Sequence, residues 1–341
     1  MRPQPKRLFQ DQVATRDQVP LRIAFVGPSG SGKTYSAFRL AQGIAEVDPG
    51  EIWFINTEGK RGTAYASFFQ YRIVNLDPPF NPLAYRDAIE HCLAKGAKVI
   101  IVDSMTHEHT GTGGVLEMHE RAVDRLSNNS TNRKIRGRYN ALAWQEPKAE
   151  RSTLLELIAR CPAHILLCFR AKEKTKPAKR KAGADDDESE GMVAMGWMPL
   201  GGEDFVYEMD LSMILLPGAD GLPTFTPDRP GERVMCKLPI QFRPLFRDLR
   251  PIDEKHGRDL ALWARGDAAP KQLTGPAPVS RGTPPAAKTD PIKDRARAEA
   301  RKGRAAFTKW WNGLNDRDAD AVSSIEEEIV AIFAELEKVP A

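Results

Sequence analysis

Gly27-Pro28-Ser29-Gly30-Ser31-Gly32-Lys33-Thr34, eight residues reading GPSGSGKT, decide the fold of this chain. They fit G-x-x-x-x-G-K-[ST], in which glycines let backbone N–H groups close around the phosphates of a nucleotide. An apolar run, Leu21 to Val26, leads in, and an amphipathic stretch with Phe38, Ala41 and Ile44 leads out. That is the strand–loop–helix order the motif needs. Gly27 to Tyr35 is then the expected nucleotide-binding stretch, with Lys33 reaching the β- and γ-phosphates and the Thr34 hydroxyl holding Mg²⁺. A glycine-rich turn carrying a surface lysine is the plainer alternative.

Similar apolar runs recur outward from this motif at Glu51–Ile55, Lys98–Val102, His164–Cys168 and Leu211–Leu216. Their helical separators predict a mostly parallel sheet with helices on both faces. One crossover is explicit. Asn81 suits an N-cap, Pro82 the first helical position, Tyr85, Ile89 and Leu93 a buried stripe, and Gly96 the stop. Pro217-Gly218 and Asp220-Gly221 predict antiparallel hairpins at one sheet edge, and a helix over 253–265 closes the core.

Two acids fall where such a sheet gathers its strand ends. In KVIIVDS the run closes on Asp103, which suits a carboxylate beside Mg²⁺; a helix N-cap is the alternative use. Ser104 follows, where an AAA+ ATPase would normally carry Glu. An acid ends the preceding run instead, Glu58 in WFINTEGKRG, able to orient and deprotonate water if it meets the phosphates. A solvated loop acid would look the same.

Placing the water-activating Glu on a different strand from the Mg²⁺-side Asp resembles the RecA-like ATPases. INTEGKRGTAYA, VIIVDSMT, FRAKEK and FVYEMDLSMIL narrow the resemblance to phage-encoded members that accompany single-strand annealing and recombination. It covers roughly residues 21–240 of the chain, on motif grounds. It implies an α/β RecA-like P-loop fold, ATP and Mg²⁺ as ligands, hydrolysis, a homo-oligomeric ring or filament, single-stranded DNA, and an annealing or single-strand-binding protein as a further partner. The chain lacks a convincing Gln at the end of the fifth strand. Arg170 and Lys172 stand there, as γ-phosphate sensors, as fingers reaching a neighbouring subunit, or as solvated cations.

In such proteins the loops after the Asp strand and after the next strand meet DNA. Here NSTNRKIRGRYN carries Arg133, Lys134, Arg136 and Arg138, and the stretch from Arg170 carries Lys172, Lys174 and Lys176 ahead of an acidic block. A cationic groove with occasional aromatics suits sequence-tolerant strand binding. A self-compensating charged loop is the competing reading. The basic stretch 292–309 is a third candidate. His107, Glu108, His109 and His119 resemble a metal-ligand set, but at no standard zinc spacing, so a polar role near the γ-phosphate or an interface is the preferred expectation.

The bulk properties are those of an ordinary soluble protein: 341 residues, 41% hydrophobic, 28% charged, net charge +4. No apolar run reaches membrane-spanning length, and the first residues lack a secretory h-region, so a cytoplasmic location is expected. Four cysteines without C-x-x-C spacing read as reduced thiols. Residues 1–20 form an expected arm, 21–265 the ATPase core, 266–290 a Pro/Ala/Gly-rich linker, and 291–341 a helical hairpin tail. A small-molecule kinase would need a lid with paired arginines, which is not evident. A nucleotide-gated adaptor, with the tail recruiting a partner, stays open.

Overall fold

A computed structural model describes residues 19–177, 192–201, 203–266, 291–323, 325, 328–330 and 332–333. They fall into two compact units, divided between Lys271 and Gln272. The expected arm up to residue 18, the linker 267–290 and the acidic block in 178–191 lie outside the described residues.

The first unit is built on seven strands: β1 (Arg22–Gly27), β2 (Ile52–Asn56), β3 (Arg72–Asn75), β4 (Val99–Asp103), β5 (His164–Pro177), β6 (Met192–Pro199) and β7 (Leu211–Ile214). Their order is β3-β2-β4-β5-β1-β7, with β6 paired to β5. All neighbours on the main path run parallel. This is the mostly parallel α/β sheet that the apolar runs predict.

Alternation along the strands explains why both faces are covered. Ala24, Val26, Ile100, Val102, Ile165 and Leu167 enter one apolar cluster. Their chain neighbours Ile23, Phe25, Val99, Ile101, Leu166 and Cys168 enter the other. Successive side chains of a strand point to opposite faces, so a strand apolar at every position needs a layer on each side. The first of α1 (Lys33–Val47) and α2 (Pro82–Ala94) supplies Phe38, Leu40 and Ile44 to the second cluster; the other supplies Tyr85 and Ile89 to the first.

The helix α2 forms for the reasons visible in its sequence. Asn81 accepts a hydrogen bond from the Ala84 amide at 2.8 Å, Pro82 occupies the first turn, and Gly96 takes φ +84° after the last one. Then come α3 (Thr106–Thr110), α4 (Val115–Leu126), α5 (Arg133–Tyr139), α6 (Gln145–Ala159), α7 (Glu203–Glu208), α8 (Pro230–Met235) and α9 (Glu254–Ala264). A reciprocal cap between Asp253 and His256 starts α9.

Three expectations need revision. The segment 129–140 is not all loop: Asn132 caps α5 by accepting from the Lys134 amide. Lys172, Lys174 and Lys176 lie on β5 itself, opposite β6 in an antiparallel ribbon, because the strand continues past the sheet end at Arg170. Beyond β7, antiparallel pairing among the described residues is limited to two bridges, Ser212 with Lys237 and Ile214 with Thr224. The short edge strand β3 and the ribbon strand β6 carried no clear apolar signal.

The second unit holds α10 (Pro291–Ala300), α11 (Arg304–Trp311) and α12 (Asp316–Ser323). The basic stretch breaks at Gly303, φ +102°. Ala296, Ala300, Val322, Ile325, Ile329 and Phe333 form its apolar cluster, with Phe307, Trp310 and Trp311 packed against it. No helix among the described residues is long and apolar enough to cross a membrane.

Candidate nucleotide site

The chain leaves β1 at Gly27 and enters α1 at Lys33 through the glycine-rich loop. Gly32 caps the helix at φ +89°, where a Cβ would also lie 2.8 Å from the Gly221 amide nitrogen, so only glycine fits. The first-turn N–H groups of α1 thus open onto the strand ends, with the positive end of the helix dipole behind them.

From β1 the chain passes to β2, three places along the sheet, while β7 lies on the other side of β1. Carboxyl ends of strands at such a reversal frame a ligand crevice. Here the crevice is a cavity of about 350 Å³, lined among others by Ser29, Gly30, Gly32, Lys33, Thr34, Tyr35, Glu58, Asp103 and Arg170. Six of the nine expected loop residues and both acids thus share one space. Gly27, Pro28 and Ser31 shape the loop: the hydroxyl of Ser31 donates to the Pro28 carbonyl at 3.0 Å.

Hydrogen bonds lace the strand ends together. The Thr57 amide donates to the Asp103 carbonyl at 3.0 Å, and the Ser104 amide donates to Thr57 Oγ1 at 2.8 Å. Asn56 accepts from the Glu58 amide at 3.1 Å and donates to Asn75 at 2.8 Å. The Arg170 amide donates to Thr106 Oγ1 at 2.8 Å. These contacts fix the backbone that carries Glu58, Asp103 and Arg170. Asn56 and Thr57 were not among the sequence candidates, and a polar pair closing an apolar strand was the available signal.

The charged groups form two sets. Thr34 donates its hydroxyl to Asp103 Oδ2, so the two expected Mg²⁺ ligands touch. Burial pushes the Asp103 carboxyl up to about 6, against the Thr34 hydrogen bond; nearby Glu58 pushes the same way. Lys33 is buried and donates to the Pro28 carbonyl at 2.6 Å; desolvation lowers its pKa, with the Asp103 and Glu58 charges opposing. In the second set the Arg170 guanidinium pairs with Glu58, its Nε 3.0 Å from Oε1. Arg170 is therefore held in cis by the acid.

The histidine cluster divides: His107 reaches the strand ends through Thr57, and the others are engaged away from them. Arg151 grips the fully buried Glu108 through two hydrogen bonds, 3.0 and 2.6 Å, and donates to His109 at 2.9 Å. Burial and the Arg151 charge push His109 down to about 4. His119 stacks on Trp144, and His107 Nδ1 lies 2.7 Å from Thr57 Oγ1. Of the basic candidates, Arg136 pairs with Glu120 and Asp124 on α4, tying α5 down. Arg133, Lys134 and Arg138 are exposed, as are Lys172 and Lys176, whereas Lys174 is half-buried and donates to the Pro199 carbonyl.

No curated protein matches the chain. A family model described as an AAA domain matches residues 19–192, just over half of the chain. With the P-loop on its strand–loop–helix and the acids at neighbouring strand ends, the protein belongs to this AAA-type P-loop ATPase family.

Proposed function

We propose that the chain binds and hydrolyses ATP with Mg²⁺, and that it does so on single-stranded DNA as a RecA-like ring or filament in phage-type recombination or annealing. One observation carries the catalytic part: Glu58, Asp103 and the P-loop, far apart in sequence, line one cavity. The residues suit the ligands. Thr34 and Asp103 offer paired oxygen donors of the kind Mg²⁺ prefers, and the cavity volume falls in the range of small-molecule pockets. Bound there, Mg²⁺ supplies electrostatic stabilisation of phosphate oxygens.

The protein's own groups divide the remaining work. Lys33 and the α1 amides hold the phosphates. Glu58 takes a proton from the attacking water, in place of the Glu that would follow Asp103 in an AAA+ enzyme, where this chain has Ser104. Arg170 holds that carboxylate in position, its Nε 3.0 Å from Oε1.

The DNA part is supported by the β5–β6 ribbon, which carries Lys172, Lys174 and Lys176 onward from the cavity wall at Arg170, and by the exposed Arg133, Lys134 and Arg138 on α5. Phosphate release, measured with and without an oligonucleotide at low salt, tests the whole reading. Turnover stimulated by DNA agrees with it; turnover indifferent to DNA, with no binding, removes the DNA part. The adaptor alternative is favoured by one observation, the separate apolar cluster of the second unit.

A further inference from the structure

Three cationic side chains line the cavity: Lys33, Arg61 and Arg170. Two are matched within the site. Lys33 lies in the field of Asp103, and Arg170 is paired to Glu58. Arg61 makes no ion pair or side-chain hydrogen bond among the described residues. Its backbone is nevertheless fixed. Gly62 is pressed onto the end of β2, where a Cβ would lie 2.5 Å from Asn56 Cγ.

Glu58 immediately precedes the 3-10 segment Gly59–Ser67, and Arg61 lies in its first turn, three residues on. Both side chains line the same cavity. Lys33 serves the β- and γ-phosphates together and Arg170 is held by Glu58, so a terminal phosphate arriving beside Glu58 brings further negative charge for another cation to meet. An unpaired guanidinium, planar and able to take two phosphate oxygens, supplies what is missing.

We infer that Arg61 binds the γ-phosphate and so lets the site distinguish ATP from ADP. The inference deepens the nucleotide reading above and rests on it. Calorimetric titration of the full chain with Mg²⁺ and either ATPγS or ADP tests it, on wild type, Arg61→Ala and Arg61→Lys. The expected result is an ATPγS affinity lower by about tenfold or more in Arg61→Ala, as for a lost charge-assisted hydrogen bond. ADP affinity stays within about twofold, and Arg61→Lys recovers part of the loss, as a point charge in place of the fork. Equal loss for both nucleotides, or loss for neither, overturns the assignment. A wild-type chain that binds neither nucleotide overturns the nucleotide reading first. Should Arg61→Ala unfold, the Arg61→Lys comparison of the two ligands separates the same outcomes.

Discussion

Asp103 shows how one residue trades stability for function. Its carboxyl is raised from the ordinary 3.8 to about 6, chiefly by burial. A folded-state pKa above the unfolded one means that protonation stabilises the fold. That contribution is complete below about pH 3.8 and lost as pH rises through about 6. At pH 8 the ionised carboxylate therefore costs up to roughly 3 kcal/mol, at about 1.4 kcal/mol per unit. Asp103→Asn is expected to raise the melting temperature at pH 8, with the gain shrinking toward pH 4, while weakening the Mg²⁺ dependence of nucleotide binding. Thermal unfolding across that pH range checks the sign; a variant equally destabilised at both ends contradicts it. By the same logic, Mg²⁺-dependent binding by the wild type falls below about pH 6, where Asp103 becomes neutral. The position of Asp103 was legible, because a strand ending in an acid beside a P-loop has few other uses. Arg61 was not: its place depends on a 3-10 turn, which no apolar period announces.

At the scale of elements, the central apolar strands and α2 could be read directly, since period and capping chemistry agreed there. The ribbon could not. Lys172 to Lys176 looked like loop because the pairing that orders them comes from β6, residues away in sequence and weakly apolar. Arg136 likewise read as a free cation until α4 supplied Glu120 and Asp124. The packing of α1 on α9 turns on two glycines that sequence alone left unremarked. A Cβ at Gly43 would lie 1.9 Å from the Glu254 carbonyl oxygen, and one at Gly257 would lie 2.2 Å from that of Leu40. Both obstacles are backbone, so neither can rotate away. Gly43→Ala and Gly257→Ala are each expected to cost roughly 1–3 kcal/mol by forcing the helices apart. In a unit of this size that lowers the melting temperature by roughly 2–10 °C. The double variant should cost less than the sum, because the first displacement relieves the second clash. Unchanged melting for either single variant would contradict the close packing.

At the scale of the molecule, the questions concern DNA and the second unit. If the ribbon lysines meet phosphates, replacing Lys172, Lys174 and Lys176 together with Ala flattens the dependence of log affinity on log salt. The slope should fall by about 0.7 per lost single-strand phosphate contact. An unaltered slope would assign those lysines elsewhere. The second unit has its own apolar cluster, so deleting residues 266–341 is expected to leave ATP turnover intact. Loss of DNA stimulation or of partner capture in that deletion would mark the tail as a recruitment element. The central claim is that an acid just beyond β2 and the last residue of β4 serve one phosphate chain, with Glu58 as the proton acceptor. Nucleotide binding and phosphate release by Glu58→Gln test it most directly. ATP affinity near wild type is expected, with turnover lowered by about a hundredfold or more, as for the loss of a general base. Hydrolysis at the wild-type rate by Glu58→Gln would contradict it.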